Sequence, residues 1–144
     1  MFHLMKSRTV YLILILLLTP LGFAAKLYPG PLAWWVNDYF GGFLYVIFWC
    51  LAAALFFSKA NAWKLAIWVL GITCFLECLQ LWHPPVLEWV RSFFIGRTLI
   101  GTTFVLMDFP YYIAGSIAGA LLIRVIQKKT RPSHVETQKN ASGI

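Results

Sequence analysis

Four long apolar segments, separated by shorter stretches richer in polar, Gly and Pro residues, dominate the sequence. They are residues 9–25, 42–57, 64–82 and 109–126. A transmembrane helix needs about 20 mostly apolar residues, and each segment comes close to that length. The pattern therefore predicts an all-α membrane protein, a four-helix transmembrane bundle.

The composition is that of a membrane protein. Of the 144 residues, 60% are hydrophobic and 12% are charged, whereas about a quarter of the residues of a soluble domain are charged. The net charge of +7 is shared with many nucleic-acid-binding proteins, but much of it concentrates near the C-terminus, in Arg124, Lys128, Lys129, Arg131 and Lys139. A basic stretch beside a membrane helix sets topology and attracts anionic lipid headgroups. We therefore expect membrane lipids, and no nucleic acid, as partners.

Basic residues at both ends of the chain predict its orientation. Lys6 and Arg8 precede the first apolar segment, and the basic C-terminal stretch follows the last, so both ends are expected in the cytoplasm. This arrangement requires an even number of spans. We expect one transmembrane domain, residues 1–127, followed by a basic, disordered cytoplasmic tail, residues 128–144. Cleavage of the Leu-rich first segment as a signal peptide is the alternative.

The connection between the third and fourth segments is unusually long for a hairpin. Residues 85–95 predict an amphipathic helix at the outer interface, with Glu88 and Arg91 paired on its polar face and Gly96 at its end. Residues 98–107 are apolar enough to re-enter the membrane, where such backbone is tolerated if protein or a water-filled cavity surrounds it. The predicted fold thus includes an outer-face interfacial or re-entrant segment.

Glu77 is the clearest candidate for a functional residue. It lies in an apolar run, residues 65–82, with no opposite charge near it in the sequence. A carboxylate at membrane depth costs about 2.5–3.5 kcal/mol, so it rarely persists without a partner or a task. Gln80 and His83 follow it at i+3 and i+6. We expect Glu77 to have a basic or hydrogen-bonding partner from another segment, Arg97 above all, in a functional site or a purely structural ion pair.

Potentially functional side chains concentrate on the outer face of the predicted bundle, which holds every acidic residue except Glu136. The candidate ligand-binding residues are Glu77, Gln80, His83, Arg91, Arg97, Asp108, Asp38 and Lys26. The long connection can fold back over the helix ends. We therefore expect Glu77, Arg97 and Asp108 to converge on one pocket.

Several of these residues have structural alternatives. Asp108, like Asn37 and Asp38, precedes a predicted helix that it can cap. Glu88 and Arg91 can form a solvated ion pair, which contributes little. These alternatives stay open at the level of the sequence.

Familiar catalytic and metal-binding motifs do not occur in the sequence. It contains no GxSxG, no HExxH and no Gly-rich phosphate loop. Cys50, Cys74 and Cys78 fall within apolar segments and lack the spacing of a metal site. We expect neither a metal nor a cofactor.

Several motifs resemble a known family. They are WVND (35–38) with the following GG (41–42), ECLQLWHPP (77–85), GRTLIG (96–101) and DFPYY (108–112). These motifs are similar to a bacterial family of small integral membrane proteins classified as a domain of unknown function, over about residues 22–122. The resemblance implies a multi-pass protein of the bacterial cytoplasmic (inner) membrane.

A more remote resemblance is to the VanZ-like superfamily, whose pattern is an acid, x-x-Gln, then Arg, Asp, Asn and two glycines. The residues in the corresponding order are Glu77, Gln80, Arg97, Asp108, Gly115 and Gly119. Tyr112 stands where that pattern has Asn, and Gly42 where its first half has His. This resemblance implies a four-helix membrane protein linked to envelope glycopeptide resistance, with no established reaction.

The leading hypothesis is a VanZ-like protein that binds a lipid or a lipid-linked envelope precursor in a polar pocket at the outer leaflet. Arg97, Arg91 and Lys26 would hold the anionic headgroup. The apolar wall would come from Trp34, Trp82 and Tyr111. One alternative is an intramembrane enzyme acting on a lipid headgroup, with Glu77 or Asp108 as general base. Another is a small structural or assembly subunit that binds a membrane protein through its Gly115/Gly119 face.

Overall fold

Every regular element in the described part of the chain is a helix. The computed structural model describes residues 2–101, 104–130 and 143. In chain order the elements are α1 (Phe2–Lys26), α2 (Ala33–Trp35), a π-helical segment (Val36–Phe40), α3 (Gly41–Phe56), α4 (Ala62–Leu79), α5 (Pro85–Ser92), α6 (Phe94–Ile100) and α7 (Asp108–Thr130). The predicted all-α class is confirmed.

Four helical stretches of the described residues are long and apolar enough to cross a membrane. They are Lys6–Lys26, Ala33–Phe56, Ala62–Leu79 and Asp108–Thr130, and each corresponds to one predicted segment. Large apolar side chains on their outward faces are exposed, as in Leu17, Trp68 and Phe75. Such faces suit lipid, so the structure supports the multi-pass membrane protein expected from the sequence.

Two boundaries differ from the prediction. The second helical stretch begins at Ala33, earlier than the predicted residue 42, because α2, the π-helical segment and α3 follow one another without a break. At the other end of the chain, α7 continues to Thr130, into the predicted tail. The rest of that tail, residues 131–142 and 144, lies outside the described residues.

The bundle is built around the pair α3 and α7, with α1 packed against both on one side and α4 packed against both on the other. Gly115 and Gly119 allow the close approach of the central pair. A Cβ at Gly115 would lie 2.7 Å from the Phe43 carbonyl oxygen, and one at Gly119 would lie 2.8 Å from Cys50 Cβ. Small residues serve this purpose in membrane helices. The Gly115/Gly119 face is therefore buried within the chain and is not available to a partner protein.

The long connection forms two helices where the sequence predicts one. α5 ends at Ser92, Phe93 is extended (φ −87°, ψ 145°), and α6 then includes Gly96. The prediction that Gly96 ends a helix is wrong. A Cβ at this position would collide with the Val90 carbonyl, so glycine permits the close approach of α5 and α6 at their corner.

α6 lies at the end of the bundle where α3 and α7 begin and α4 ends, and it contacts α4, α3 and α1 there. We call this end the outer end, as a label that implies no side of the membrane. The Tyr45 hydroxyl of α3 donates to the Leu99 carbonyl at 2.9 Å. At the other end of α6, the rings of Phe94 and Phe23 are stacked, with centroids 6.4 Å apart. The connection therefore covers the outer end of the bundle, which contains the candidate site.

Replacing Gly115 with alanine should destabilise the bundle, because a Cβ there meets the backbone of α3 and overpacking costs about 1–3 kcal/mol. Gly71 provides a matched control, since nothing lies within 4 Å of a Cβ at this helical position. Gly71→Ala should be neutral or stabilise by up to about 1 kcal/mol through helix propensity. Thermal unfolding in detergent measures both variants. Equal melting temperatures would contradict the described packing of α3 on α7.

Candidate functional site

Glu77 is 2% exposed and accepts three hydrogen bonds. Its Oε1 accepts from the Val105 backbone N–H at 3.0 Å, and its Oε2 accepts from the Tyr112 hydroxyl at 2.9 Å and from Gln80 Nε2 at 3.1 Å. Tyr112 belongs to α7 and Val105 follows α6. The expectation of a hydrogen-bonding partner from another segment is confirmed, and every donor on Glu77 in the described residues is neutral.

Arg97 is not the partner of Glu77, and that prediction is wrong. The Arg97 side chain is exposed on α6, and its Nε donates to the Arg91 carbonyl at 3.3 Å. α6 is turned so that its last carbonyl groups, those of Leu99 and Ile100, bind the bundle. Arg97 consequently points away from Glu77, and the expected convergence of Glu77, Arg97 and Asp108 fails at Arg97.

Gln80 joins Glu77 to the end of α6. Its Nε2 donates to the Ile100 carbonyl at 3.0 Å as well as to Glu77. Gly101 then turns the chain with φ +80°, and a Cβ at Gly101 would collide with the Gln80 amide. Glycine is thus required twice, for the left-handed backbone and for space. Gln80 Oε1 is buried and has no hydrogen-bond partner among the described residues.

Arg91 is 5% exposed and fastens the outer end of α4 to the connection. Its Nη2 donates to the Leu79 carbonyl at 3.0 Å, its Nη1 to the Trp82 carbonyl at 3.2 Å, and its Nε to the Gly101 carbonyl at 3.1 Å. Carbonyl groups at a helix C-terminus lack intrahelical partners and favour a cation. The Arg91 guanidinium therefore has a structural role, which the sequence prediction of a headgroup ligand missed.

Glu88 and His83 complete this arrangement, which we call the Arg91 clamp. Glu88 Oε1 accepts from Arg91 Nη1 at 2.7 Å and lies 2.8 Å from His83 Nδ1. A carboxylate accepts hydrogen bonds, so His83 Nδ1 carries the proton in this contact. The hydrogen bond from His83 and then the one from Arg91 lower the pKa of the Glu88 carboxyl below its usual value. Of the clamp residues, His83 and Glu88 are exposed.

Asp108 opens α7 and is half-buried. It interacts electrostatically with Glu77, Asp38 and Lys26. Each of these three residues is therefore near enough to Asp108 to act on its carboxyl, at the end of the bundle where the π-helical segment packs against both α1 and α7. The part of the predicted convergence that links Glu77 with Asp108 agrees with the structure.

Asn37 and Asp38 do not cap the second helix, contrary to the structural alternative. Both lie inside the π-helical segment, because the helix begins at Ala33 after Leu32, which adopts φ 59°. Asn37 Oδ1 is buried and has no hydrogen-bond partner in the part of the chain that the structure describes. Asp38 is exposed.

The aromatic residues expected to line one wall are divided between two places. Tyr111 accepts a hydrogen bond from Trp35 Nε1 at 3.0 Å and stacks on Tyr39 with centroids 4.8 Å apart. Trp34 contacts Tyr39 edge-on. Trp82 is 63% exposed at the end of α4 and takes no part in this cluster.

The eight predicted site residues thus separate into three groups. Glu77, Gln80, Asp108, Asp38 and Lys26 come together, His83 and Arg91 belong to the clamp, and Arg97 lies apart on α6. The sequence analysis missed Tyr112, which lies one helical turn after Asp108 in the DFPYY motif. No group of three or more His, Cys, Asp or Glu residues in the described ranges could hold a metal ion.

Tyr112→Phe should destabilise the protein by about 1.5–3 kcal/mol, the range for hydrogen bonds to charged groups. Tyr111→Phe is the matched control, because its hydroxyl pairs with the neutral Trp35 indole and should contribute about 0.5–1.5 kcal/mol. Chemical unfolding in mild detergent measures both variants. If Tyr112→Phe proves no more damaging than Tyr111→Phe, Glu77 does not depend on the Tyr112 hydroxyl.

Acidification should weaken the Arg91 clamp through Glu88. Because the folded state lowers the pKa of this carboxyl below its usual 4.5, it favours the ionised form. The resulting stabilisation is complete above that usual value and is lost as the pH falls through the lowered folded pKa. Melting temperatures from about pH 6 to about pH 3 should fall less in Glu88→Gln than in the wild type. An equal fall would assign the acid sensitivity to other carboxyl groups.

Comparison with known proteins identifies a family. The profile of a family described as "Protein of unknown function (DUF2809)" matches residues 32–116, more than half of the chain. The matched range contains Glu77, the Arg91 clamp and Asp108, and it agrees with the resemblance to a domain of unknown function. No curated protein and no solved structure matches the chain. These comparisons give no support to a VanZ-like relationship. By its profile match, the chain belongs to the DUF2809 family.

Proposed function

We propose that the protein binds a membrane amphiphile with an anionic headgroup, a lipid or a lipid-linked envelope precursor, at the outer end of the bundle. The site is a cleft between α1 and α6. The observation that carries the proposal is the stacked, exposed ring pair Phe23–Phe94, with a cation one helical turn beyond each ring.

The ring pair forms the apolar part of the cleft. Phe23 is 45% exposed and Phe94 is 63% exposed although their rings are stacked. Among the described residues, no Cα atom of α1 comes within 8 Å of one in α6. The two helices therefore meet through side chains, and an acyl chain would lie against the exposed faces of the two rings.

Lys26 and Arg97 supply the positive charge. Lys26 follows Phe23 by three residues, and Arg97 follows Phe94 by three, so each cation shares a helix face with its ring. Both side chains are exposed, and the ion pairs found in the described ranges involve neither. Guanidinium and ammonium groups are the usual ligands of phosphate. Arg91, which the sequence also suggested, is excluded because backbone carbonyls and Glu88 occupy its donors.

The proposed orientation has both ends of the chain in the cytoplasm, from the basic residues at each end. This orientation puts the cleft at the outer leaflet, and the proposed location is the bacterial inner membrane. The Val105–Glu77 hydrogen bond ties the chain after α6 to a level inside the end of α4. This contact supports a re-entrant segment over residues 98–107. A VanZ-like role in the envelope rests on residue order alone.

The enzyme alternative loses one of its two candidate bases. Glu77 is 2% exposed, so a substrate has no access to its carboxylate. Asp108, which is half-buried, is the remaining candidate. The alternative of a structural or assembly subunit loses its candidate surface, because the Gly115/Gly119 face packs against α3 of the same chain.

The double variant Lys26→Gln/Arg97→Gln tests the proposal. Native mass spectrometry of the purified protein with added phosphatidylglycerol should show at least about tenfold weaker retention of this lipid than in the wild type, since each charged hydrogen bond contributes about 1.5–3 kcal/mol. Lys64→Gln/Arg124→Gln is the matched control, because it removes two exposed cations from the opposite end of the bundle. Equal losses in the two double variants would overturn the assignment of the cleft.

A further inference from the structure

Hydrogen-bond acceptors predominate beside the cleft. The outer acidic cluster consists of Asp38, Glu77 and Asp108, and Lys26 is the cation that interacts with Asp108. Asp38 is exposed, Asp108 is half-buried and Glu77 is buried, so the cluster extends from the surface into the bundle. Three carboxyl groups face a single ammonium group there.

The amide oxygen of Gln80, next to this cluster, has no donor in the part of the chain that the structure describes. Gln80 is 8% exposed and its side chain is directed into the cluster, because its Nε2 donates to Glu77 Oε2 at 3.1 Å. Its Oε1 is buried without a partner among the described residues. A buried acceptor without a donor costs about 1–3 kcal/mol. The unpartnered atom is an acceptor, so a ligand that completes the site must bring a donor.

We infer that the bound headgroup carries a primary ammonium next to its phosphate, so that the ligand is a zwitterionic amphiphile of the phosphoethanolamine type. An ammonium offers three N–H donors and a positive charge, which suits carboxylates and amide oxygens. Asp38 and Asp108 receive the ammonium at the accessible end of the cluster, while Lys26 and Arg97 hold the phosphate. The two halves are contiguous, because Lys26 shares a helix face with Phe23 of the cleft and also interacts with Asp108. This inference rests on the proposed function.

The test compares phosphatidylethanolamine with phosphatidylcholine of the same acyl chains. The two headgroups share the phosphate and the net charge, but the choline nitrogen has no N–H donor. Native mass spectrometry of the wild-type protein should show phosphatidylethanolamine retained about tenfold better, the effect of one charged hydrogen bond. In Asp38→Asn/Asp108→Asn the ratio should fall to about one. Glu88→Gln, which removes an exposed outer carboxylate outside the cluster, should keep the wild-type ratio.

Equal retention of the two lipids by the wild type would overturn this inference. The proposed function would still stand if phosphatidylglycerol binding then depended on Lys26 and Arg97, and it would fall if none of the three lipids were retained. The ratio of retained phosphatidylethanolamine to retained phosphatidylcholine is measured on the wild-type protein, so it does not depend on whether a variant folds. If the double variant does not fold, the single variant Asp38→Asn tests the acidic cluster, because Asp38 is exposed. This replacement should lower the lipid ratio at least twofold. An unchanged ratio in that variant would count against the acidic cluster.

Discussion

The buried carboxylate of Glu77 is the constraint on which the outer half of this structure depends. No cation among the described residues pairs with it, so neutral donors from three places must satisfy it: Val105 after α6, Tyr112 on α7 and Gln80 at the end of α4. An isolated carboxylate at this depth would be too costly to keep. The three hydrogen bonds therefore fix where the connection passes and how α4 and α7 face each other. Gly101 makes the path possible, because it leaves room for the Gln80 amide.

The Arg91 clamp supplies the hydrogen-bond donors that the C-terminus of α4 needs. α4 ends at Leu79, where the free carbonyl groups of a helix C-terminus need donors. Arg91 donates hydrogen bonds to the Leu79 and Trp82 carbonyl groups there, and another to the Gly101 carbonyl. One guanidinium thus ends the third membrane helix and holds the connection against it. Its planar set of donors suits several carbonyl groups at once, which a lysine would not. Glu88 balances its charge at the surface.

The parts of this architecture that follow from composition can be predicted from the sequence. The parts that depend on the orientation of a helix or a side chain cannot. Apolar length alone identifies the four membrane helices, and an acid in an apolar run identifies Glu77. The predicted partner of Glu77 was wrong. Opposite charge points to Arg97, but α6 is oriented so that its last carbonyl groups, and not Arg97, face the bundle. Tyr112 was missed because a tyrosine in an apolar helix resembles any other aromatic residue in the sequence. Only the structure shows which group its hydroxyl contacts. Gly96 looks like a helix end but serves a close backbone contact, and Leu32 starts a helix from a left-handed conformation that no local pattern signals.

Depth in the bundle separates the polar groups with a structural role from those that we propose to bind a ligand. Glu77 and Arg91, 2% and 5% exposed, are hydrogen-bonded by the chain itself, as groups removed from water must be. Lys26, Arg97 and Asp38 are exposed, so water can satisfy their charged groups and the fold does not need to. Gln80 lies between the two levels, with its nitrogen used by the chain and its oxygen unused. A ligand that meets Asp108 would therefore act on the structural network through Glu77 and Gln80. Binding at the surface and stability of the outer half are expected to be coupled at this boundary.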